Sequence, residues 1–209
     1  PVPSHKGMID PADLSAAIRP ANLHYPVPRL LCLENTHNRS GGRVVPLDLH
    51  RELCDVARNR GLAIHLDGAR IFNAAIAAGC APADFTRDVD SIQVCLTKGL
   101  GCPLGSFVAG SREFVERVDR ARKRLGGGMR QAGIIAAAGI YALKNNVTRL
   151  TDDHRRAQRL AERINELAGP EGGLGSGECA RISIIQMTPS MMSLNGYSKR
   201  FAWRLPEHD

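Results

Sequence analysis

Short apolar runs alternate with amphipathic segments through the first half of the chain. Four of these runs have the length of buried strands, at residues 29–33, 62–66, 91–96 and 104–109. Helices are predicted between them, one with Asp10 as N-cap and Pro11 at its first position, and another that opens at Pro46. Because helices and strands alternate, the sequence predicts an α/β fold with a mostly parallel central sheet flanked by helices.

Helical patterns dominate the second half of the chain. Ser111 is expected to cap a basic helix that ends near Leu125. The stretch 132–143 is apolar on nearly all sides, so its helix is expected to be buried or to lie at an interface. The pattern at 147–168 is amphipathic and would form a helix of about 30 Å, a length typical of helices that link two domains.

A change in composition after residue 168 divides the chain. Residues 169–173 are rich in glycine, and residues 187–209 show little periodicity, although 181–186 could form one strand. We therefore expect three parts: a large domain at 1–146, a linking helix at 147–168, and a divergent, weakly ordered C-terminal segment at 169–209. The opening nine residues are expected to form a loop.

The net charge of +7 raises the question of a nucleic-acid partner. The basic residues are scattered or stand beside acids, as in 112–117, and no basic block contains aromatic residues. A nucleic-acid binder is therefore the least favoured class. No apolar stretch approaches the roughly twenty residues that a membrane span requires, so no membrane association is expected.

The six cysteines do not include a Cys-x-x-Cys pair, and several lie within apolar runs. Free cysteine in such runs behaves as a small apolar residue, and a packing role is also expected for Cys102. With no secretory signal, a reducing compartment and a cytoplasmic location are expected. No metal site is predicted. The chain begins Pro1-Val2-Pro3 and is expected to be a fragment or a processed product.

Polar residues follow three of the predicted strands. They are found at 34–38, at Asp67–Arg70 and at Thr97–Lys98. Because parallel strands end at the same edge of a sheet, the three clusters are predicted to meet there, where open α/β sheets bind ligands. This edge is the predicted functional site.

A carboxylate, an arginine and a lysine at one edge suit pyridoxal phosphate. The amine of Lys98 would form a Schiff base with this cofactor, and Asp67 would keep the pyridine nitrogen protonated. The glycines that follow Lys98 would let the backbone pass close to a flat ring. Taken singly, each motif also has a simpler interpretation, since Lys98 could be a solvated residue in a glycine turn and Asp67–Arg70 an exposed turn.

Four motifs, in order along the chain, resemble those of the low-specificity threonine aldolases. They are Glu34-Asn35-Thr36-His37-Asn38, the segment 65–73, Leu96-Thr97-Lys98-Gly99-Leu100-Gly101 and the segment 126–131. The resemblance covers roughly residues 9–168. It implies part of the large domain of a fold-type-I pyridoxal-phosphate enzyme.

The resemblance implies a role for each matching residue. Lys98 would be the Schiff-base lysine, Asp67 the partner of the pyridine nitrogen, and Arg70 the arginine near the phenolic oxygen of the cofactor. Thr97 lies where the family often has serine, and threonine retains the hydroxyl group of that serine. His24 would be an active-site histidine near the substrate side chain.

Two basic residues flank the triple glycine at 126–128. Lys123 and Arg130 resemble residues that reach an anion of the cofactor or substrate, with a subunit interface as one route. The role of His37 is less defined, because it could simply hydrogen-bond its own loop.

The implied reaction is the cleavage of L-threonine or L-allo-threonine to glycine and acetaldehyde. His24 or an ordered water would take the proton of the β-hydroxyl group, for which the pKa of histidine is suitable. The resemblance also implies a small amino-acid substrate and a homo-oligomer, dimer or tetramer.

The sequence departs from the family at both ends. The family's N-terminal segment, which supplies much of the phosphate cradle and a stacking histidine, is not visible. No arginine after residue 175 can be assigned to the clamp for the substrate carboxylate. Since charge-assisted contacts are worth roughly 1.5–3 kcal/mol each, the chain alone is expected to bind the cofactor poorly and to have little aldolase activity.

Other functions remain open from the sequence. One is another fold-type-I reaction, such as transamination or decarboxylation. The other is a non-catalytic fragment that acts only by association with a subunit, for which the apolar stretch 132–143 would supply a surface.

Overall fold

The computed structural model describes residues 1–20 and 22–168, which form two small strands, a four-stranded sheet and seven α-helices. The strands are β1 Ser4–His5, β2 Met8–Ile9, β3 Leu30–Glu34, β4 Ala63–Asp67, β5 Ser91–Cys95 and β6 Ser106–Gly110. The helices are α1 Pro11–Ala17, α2 Leu47–Asn59, α3 Ile71–Ala78, α4 Pro82–Thr86, α5 Arg112–Arg124, α6 Gly133–Asn145 and α7 Leu150–Ala168. The predicted C-terminal segment, including the strand at 181–186, lies outside the described residues.

The central sheet has the order β3-β4-β5-β6. Strands β3, β4 and β5 are parallel, and β6 runs antiparallel to β5. The prediction of a mostly parallel sheet flanked by helices is confirmed. In the register of the parallel strands, Glu34 pairs with Asp67, and Asp67 pairs with Gln93.

Two predicted helix starts are confirmed by their caps. Asp10 Oδ1 accepts a hydrogen bond from the Ala12 amide at 2.7 Å, and Pro11 is the first helical residue. The Ser111 hydroxyl accepts from the Phe114 amide at 3.2 Å and starts α5. These caps satisfy amides that would otherwise have no partner in the first helical turn.

The prediction of a loop over the first nine residues is wrong. Strands β1 and β2 form a small antiparallel hairpin. The turn between them has positive φ at Lys6 (51°) and Gly7 (81°), the geometry of a tight hairpin turn. Each strand has only two residues, which is too short for alternation to be visible in the sequence.

The main core lies against one face of the sheet, because buried and more exposed residues alternate along β3 and β4. Ile64 and Leu66 of β4 are fully buried in the main cluster, together with residues of α1, α2, α3 and α4. A second cluster includes Leu96, Leu100 and Leu150, and it packs the segment after β5 against α7. The segment that carries Lys98 is therefore supported by an apolar cluster of its own.

The stretch 132–143 is expected from the sequence to form a helix that is either buried or at an interface. Helix α6 is not buried in the described part of the chain. Gly139 and Ala142 are its buried residues, whereas Ile134 is 77% exposed and Tyr141 65% exposed. Only one narrow side of the helix packs, with Gly139 against Leu96. The other half of the expectation, that this helix lies at an interface, stays a prediction. No helix of the described residues has the length and apolar character required to cross a membrane.

His50 is buried in α2 and links it to α4. Its Nε2 donates a hydrogen bond to the Phe85 carbonyl oxygen at 2.9 Å, and the two rings meet edge to face at 5.5 Å. Burial lowers the pKa of His50, although the bond to Phe85 acts in the opposite direction. The neutral imidazole is thus the form that the fold accommodates.

The free energy of unfolding is expected to fall as the pH drops through the ordinary histidine pKa of 6.5. Below that pH the unfolded chain binds a proton that the folded His50 resists, so acid favours unfolding. Burial also lowers the pKa of His154, which acts in the same direction. Urea unfolding at about pH 7.5 and pH 5.5 measures the effect. His50→Gln keeps a donor for Phe85 and should reduce the pH dependence; an undiminished dependence would contradict the assignment to His50.

Candidate active site

The carboxyl ends of β3, β4 and β5 lie at one edge of the sheet. Glu34 and Asp67 are the last residues of β3 and β4 and are paired in register. Lys98 follows the end of β5 at the same edge. The prediction that the three polar clusters share an edge is therefore confirmed by the topology.

Asp67 is half-buried and held in place by its neighbours. Its Oδ1 accepts hydrogen bonds from the Ala69 amide at 3.0 Å and from Gln93 Nε2 at 2.9 Å. Gly68 lets the backbone approach β5, because a Cβ at this position would lie 2.5 Å from Ile92 Cδ1. Within the described residues no hydrogen bond ends on Oδ2, so this oxygen is the one left to contact a ligand.

Arg70 connects the segment after β4 with the segment after β3. Its Nη2 donates to Asn38 Oδ1 at 3.1 Å, and the Asn38 amide donates to Glu34 Oε1 at 3.0 Å. Arg70 is half-buried and keeps further guanidinium N–H groups for other partners. Asn38 belongs to one of the four motifs, but its role as the partner of Arg70 is visible only in the structure.

His37 is bound within its own loop, as the simpler interpretation of this residue predicts. Its Nδ1 lies 2.9 Å from the Ser40 hydroxyl, and its Nε2 lies 3.9 Å from Glu34 Oε2. The backbone of His37 also bonds to Arg43 and Gly42. His37 thus helps to fix the loop that carries Asn38.

Asn35 anchors the base of this loop, a function that was not predicted from the sequence. It is buried, and its side-chain amide makes a reciprocal pair of 3.1 Å hydrogen bonds with the backbone of Val45. Its own amide donates to the Asp67 carbonyl oxygen at 3.0 Å. The position of Asn35 directly after an apolar strand indicates a structural or functional role. It does not identify Val45, ten residues away, as the hydrogen-bond partner.

Lys98 lies in a tight loop closed by its own backbone. The Gly101 amide donates to the Lys98 carbonyl oxygen at 2.9 Å, and the Cys102 amide donates to the Leu96 carbonyl oxygen at 3.0 Å. The Lys98 side chain is half-buried, and within the described residues it forms no ion pair or hydrogen bond. Thr97, its neighbour, is exposed.

The start of α7 and the residues before it hold the Lys98 loop from outside. Arg149 Nη2 donates to the Gly99 carbonyl oxygen at 3.2 Å, and Asn146 Nδ2 donates to the Leu100 carbonyl oxygen at 2.8 Å. Leu150 packs against Gly99 and is fully buried. These contacts span about fifty positions, and no local pattern in the sequence indicates them.

Three predicted site residues are not joined to this cluster. His24 is exposed in the turn from Asn22 to Tyr25, where its amide donates to Asn22 Oδ1 at 2.9 Å. Lys123, at the end of α5, and Arg130, in the turn before α6, are exposed as well. Within the described residues, no hydrogen bond or ion pair connects them to Asp67, Arg70 or Lys98, and their predicted roles stay predictions.

A cleft of about 600 Å³ opens beside the same edge. It lies between the β1–β2 hairpin and β3, and its polar end is lined by Glu34, His37 and Asp67. Lys98 does not line it. The described residues contain no group of three or more His, Cys, Asp or Glu side chains that could hold a metal ion.

Comparison with known proteins assigns the chain to a family. The model of the beta-eliminating lyase family matches residues 1–172. The chain belongs to the beta-eliminating lyase family.

Two curated relatives of this chain have names that describe an activity. It is 52% identical over 149 residues to the low specificity L-threonine aldolase of Escherichia coli K12, covering 71% of this chain and 44% of the relative. It is 45% identical over 165 residues to the low-specificity L-threonine aldolase 1 of Arabidopsis thaliana, covering 78% of this chain and 46% of the relative. The chain thus spans less than half the length of these relatives.

A solved structure supports the fold of this chain. The threonine aldolase of Leishmania major matches with a TM-score of 0.65 and 18% identity, covering 80% of this chain and 49% of that one. The fold predicted from alternating helices and strands is the fold of that protein over the matched region.

The described cysteines of the chain are free thiols: Cys32, Cys54, Cys80, Cys95 and Cys102. Cys102, close to Lys98 in sequence, is buried and donates through Sγ to the Ala138 carbonyl oxygen at 3.5 Å. Burial raises its pKa, and it raises the pKa of Cys54 to about 11, so both are poor nucleophiles. The geometry of Cys102 agrees with the predicted packing role.

Replacing Gly99 with alanine is expected to destabilise the folded chain by about 1–3 kcal/mol. A Cβ at this position would lie 2.6 Å from Leu150 Cδ2 and 3.3 Å from Asn73 Oδ1, and both side chains are packed. Urea unfolding midpoints measure the change. Gly133→Ala is the control, because nothing lies within 4 Å of its Cβ position. Equal midpoints for the two variants would contradict the prediction.

Proposed function

We propose that this chain contributes the lysine-bearing part of a pyridoxal-phosphate-dependent carbon–carbon lyase. Its substrates are L-threonine and L-allo-threonine, and its products are glycine and acetaldehyde. The observation that carries the proposal is the meeting of Asp67, Arg70 and the Lys98 loop at one sheet edge. The names of the two curated relatives support it.

The residues at this edge fit pyridoxal phosphate. Asp67 keeps one carboxylate oxygen for a ring nitrogen, since both of its described hydrogen bonds end on the other oxygen. The Lys98 side chain has no ion-pair or hydrogen-bond partner among the described residues, so its amine is left to contact a ligand. When bound, this cofactor supplies an electron sink for the bond that breaks.

Each side chain has a defined task in the proposal. Lys98 would hold the cofactor covalently, because its deprotonated Nζ can condense with the aldehyde of the cofactor with loss of water. Asp67 holds a proton on the ring nitrogen, and its bonds to Ala69 and Gln93 fix the carboxylate for that purpose. Arg70 would offer its remaining N–H groups to the phenolic oxygen, and Thr97 would offer a hydroxyl group next to Lys98.

The remaining site residues are proposed to act on the substrate or on anions. His24 or an ordered water takes the proton of the β-hydroxyl group, since an imidazole nitrogen can act as a general base. Lys123 and Arg130 reach an anion of the cofactor or the substrate in an assembled oligomer. Their exposure in the single chain is compatible with action across an interface.

The proposed assembly is a homo-oligomer, a dimer or a tetramer. The exposed apolar side chains of α6, such as Ile134 and Tyr141, favour a covered position for this helix. A cytoplasmic location is proposed because the chain has six cysteines without a Cys-x-x-Cys pair.

The identity of the products tests the reaction. The chain is incubated with pyridoxal phosphate and L-threonine, and glycine, acetaldehyde and the 2-oxo acid are quantified. We expect glycine and acetaldehyde in equal amounts. Transamination would instead give the 2-oxo acid and pyridoxamine phosphate. This result would contradict the proposed cleavage and favour transamination, the other fold-type-I reaction considered. Product identity rather than rate is the readout, so even a few turnovers decide between them.

A further inference from the structure

Asn73 is a buried polar residue in the first turn of α3 that the proposed reaction does not use. Helix α3 begins directly after Arg70, and the Ala74 amide donates to the Arg70 carbonyl oxygen at 3.0 Å. The position of Asn73 is therefore fixed relative to the Asp67–Arg70 segment. A buried amide side chain requires hydrogen-bond partners, since an unpaired one costs about 1–3 kcal/mol.

The partner of Asn73 is His154 on α7. Asn73 Nδ2 lies 3.0 Å from His154 Nε2. The amide nitrogen can only donate, so Nε2 accepts and the imidazole is neutral, with its proton on Nδ1. Burial lowers the pKa of His154, which agrees with this neutral form.

The other side of the Asn73 amide faces the Lys98 loop. Asn73 Oδ1 lies 3.3 Å from the Cβ position of Gly99, the residue after Lys98. Leu150, one turn before His154 on α7, packs against the same glycine. The Lys98 loop thus contacts both α3 and α7. Helix α3 is fixed to the Asp67–Arg70 segment, and α7 is bound to α3 by the hydrogen bond between Asn73 and His154.

We infer that Asn73 and His154 are positioning residues that hold the Lys98 loop at a fixed distance from the Asp67–Arg70 segment. Neither is proposed to contact the cofactor or the substrate. The inference rests on the proposed function for its catalytic meaning, because the distance matters only if Lys98 and Asp67 act on one bound group. Its structural part stands on the contacts of the described residues alone.

Substitution of His154 separates positioning from packing. His154→Leu fills similar space but offers no acceptor, so the Asn73 amide loses its partner and no longer constrains Gly99. His154→Gln restores an acceptor through its side-chain carbonyl oxygen. If the hydrogen bond is what matters, the glutamine variant should behave like the parent chain and the leucine variant should not.

Hydrogen exchange of the Gly101 and Cys102 amides tests the structural part without any cofactor. Both amides donate within the Lys98 loop, so they exchange only when it opens. We expect exchange about tenfold faster in His154→Leu, the factor that corresponds to one lost buried hydrogen bond, and near-parental exchange in His154→Gln. His65→Leu is the matched control, because it removes a histidine hydrogen bond to Ser91 at 2.8 Å elsewhere in the sheet. Unchanged exchange in His154→Leu, or equal acceleration in the control, would overturn the inference.

The rate of covalent attachment of pyridoxal phosphate to Lys98 tests the catalytic part. Attachment is stopped by borohydride at successive times and followed by mass. We expect attachment to slow about tenfold in His154→Leu and to return to the parental rate in His154→Gln. Without the hydrogen bond, the loop must be brought into position at a free-energy cost equal to that of the lost bond. Equal rates in all three proteins would overturn the inference. If the parent chain attaches no cofactor at Lys98, the proposed function fails, while the exchange data still decide the structural part.

Discussion

Replacing Lys98 with alanine is expected to abolish covalent attachment of pyridoxal phosphate to the chain. Attachment requires a primary amine at the sheet edge, and Lys98 is half-buried there with no ion-pair or hydrogen-bond partner among the described residues. The measurement is incubation with the cofactor, reduction with borohydride, and determination of the intact and peptide masses. The labelled peptide of the parent chain should contain Lys98, and the variant should carry no label.

Two further variants make the Lys98 experiment specific. Lys98→Arg keeps the positive charge but has no nucleophilic amine near neutral pH, so it should also remain unlabelled. Lys144→Ala removes an exposed lysine in the last turn of α6 and should be labelled like the parent chain. Label that persists on another lysine in Lys98→Ala would show that the reagent reacts with surface amines, and it would remove the main support for the proposed site.

The common edge of the three polar clusters could be predicted because it depends on strand order and direction alone. Once helices separate the strands at 29–33, 62–66 and 91–96, parallel pairing follows, and the residues after each strand must share an edge. The structure confirms this with Glu34 opposite Asp67 in the register. The alternation of helical and strand patterns is therefore sufficient to predict the shared edge.

The contacts that hold the site in place could not be predicted in the same way. Arg149 reaches Gly99, and Asn73 reaches His154, across fifty or more positions in the chain. Such contacts depend on how α3 and α7 pack, and neither periodicity nor a local motif encodes that packing. A polar residue at the start of a helix is ordinarily interpreted as exposed to solvent. The sequence around Arg149 therefore does not indicate its contact with Gly99.

The antiparallel direction of β6 has a physical cause in the length of the connection before it. The residues at 96–105 contain the Lys98 loop, and they are too few for the crossover helix that a parallel strand needs. An antiparallel β6 follows from this length, and the structure has it. Helix α4 was not predicted for a different reason, because five residues form little more than one turn and show no helical periodicity.

The short helix α4 nevertheless contributes the largest of the fully buried side chains described, and Phe85→Ala is expected to be the most destabilising single change outside the site. Phe85 is completely buried, and its ring meets the edge of His50 at an interplanar angle of 80°. Removing a buried phenylalanine costs about 3–5 kcal/mol, because apolar contacts are lost and a cavity remains. Urea unfolding midpoints at constant pH measure the loss.

Phe85→Leu is the matched variant, since it keeps most of the buried volume and should cost less than about 1.5 kcal/mol. Both variants keep the Phe85 backbone carbonyl that accepts from His50, so the difference between them reports the ring and not the hydrogen bond. A domain is stable by only about 5–15 kcal/mol, so the alanine variant should unfold in far less urea. Equal midpoints for the two variants would show that α4 contributes little to the core.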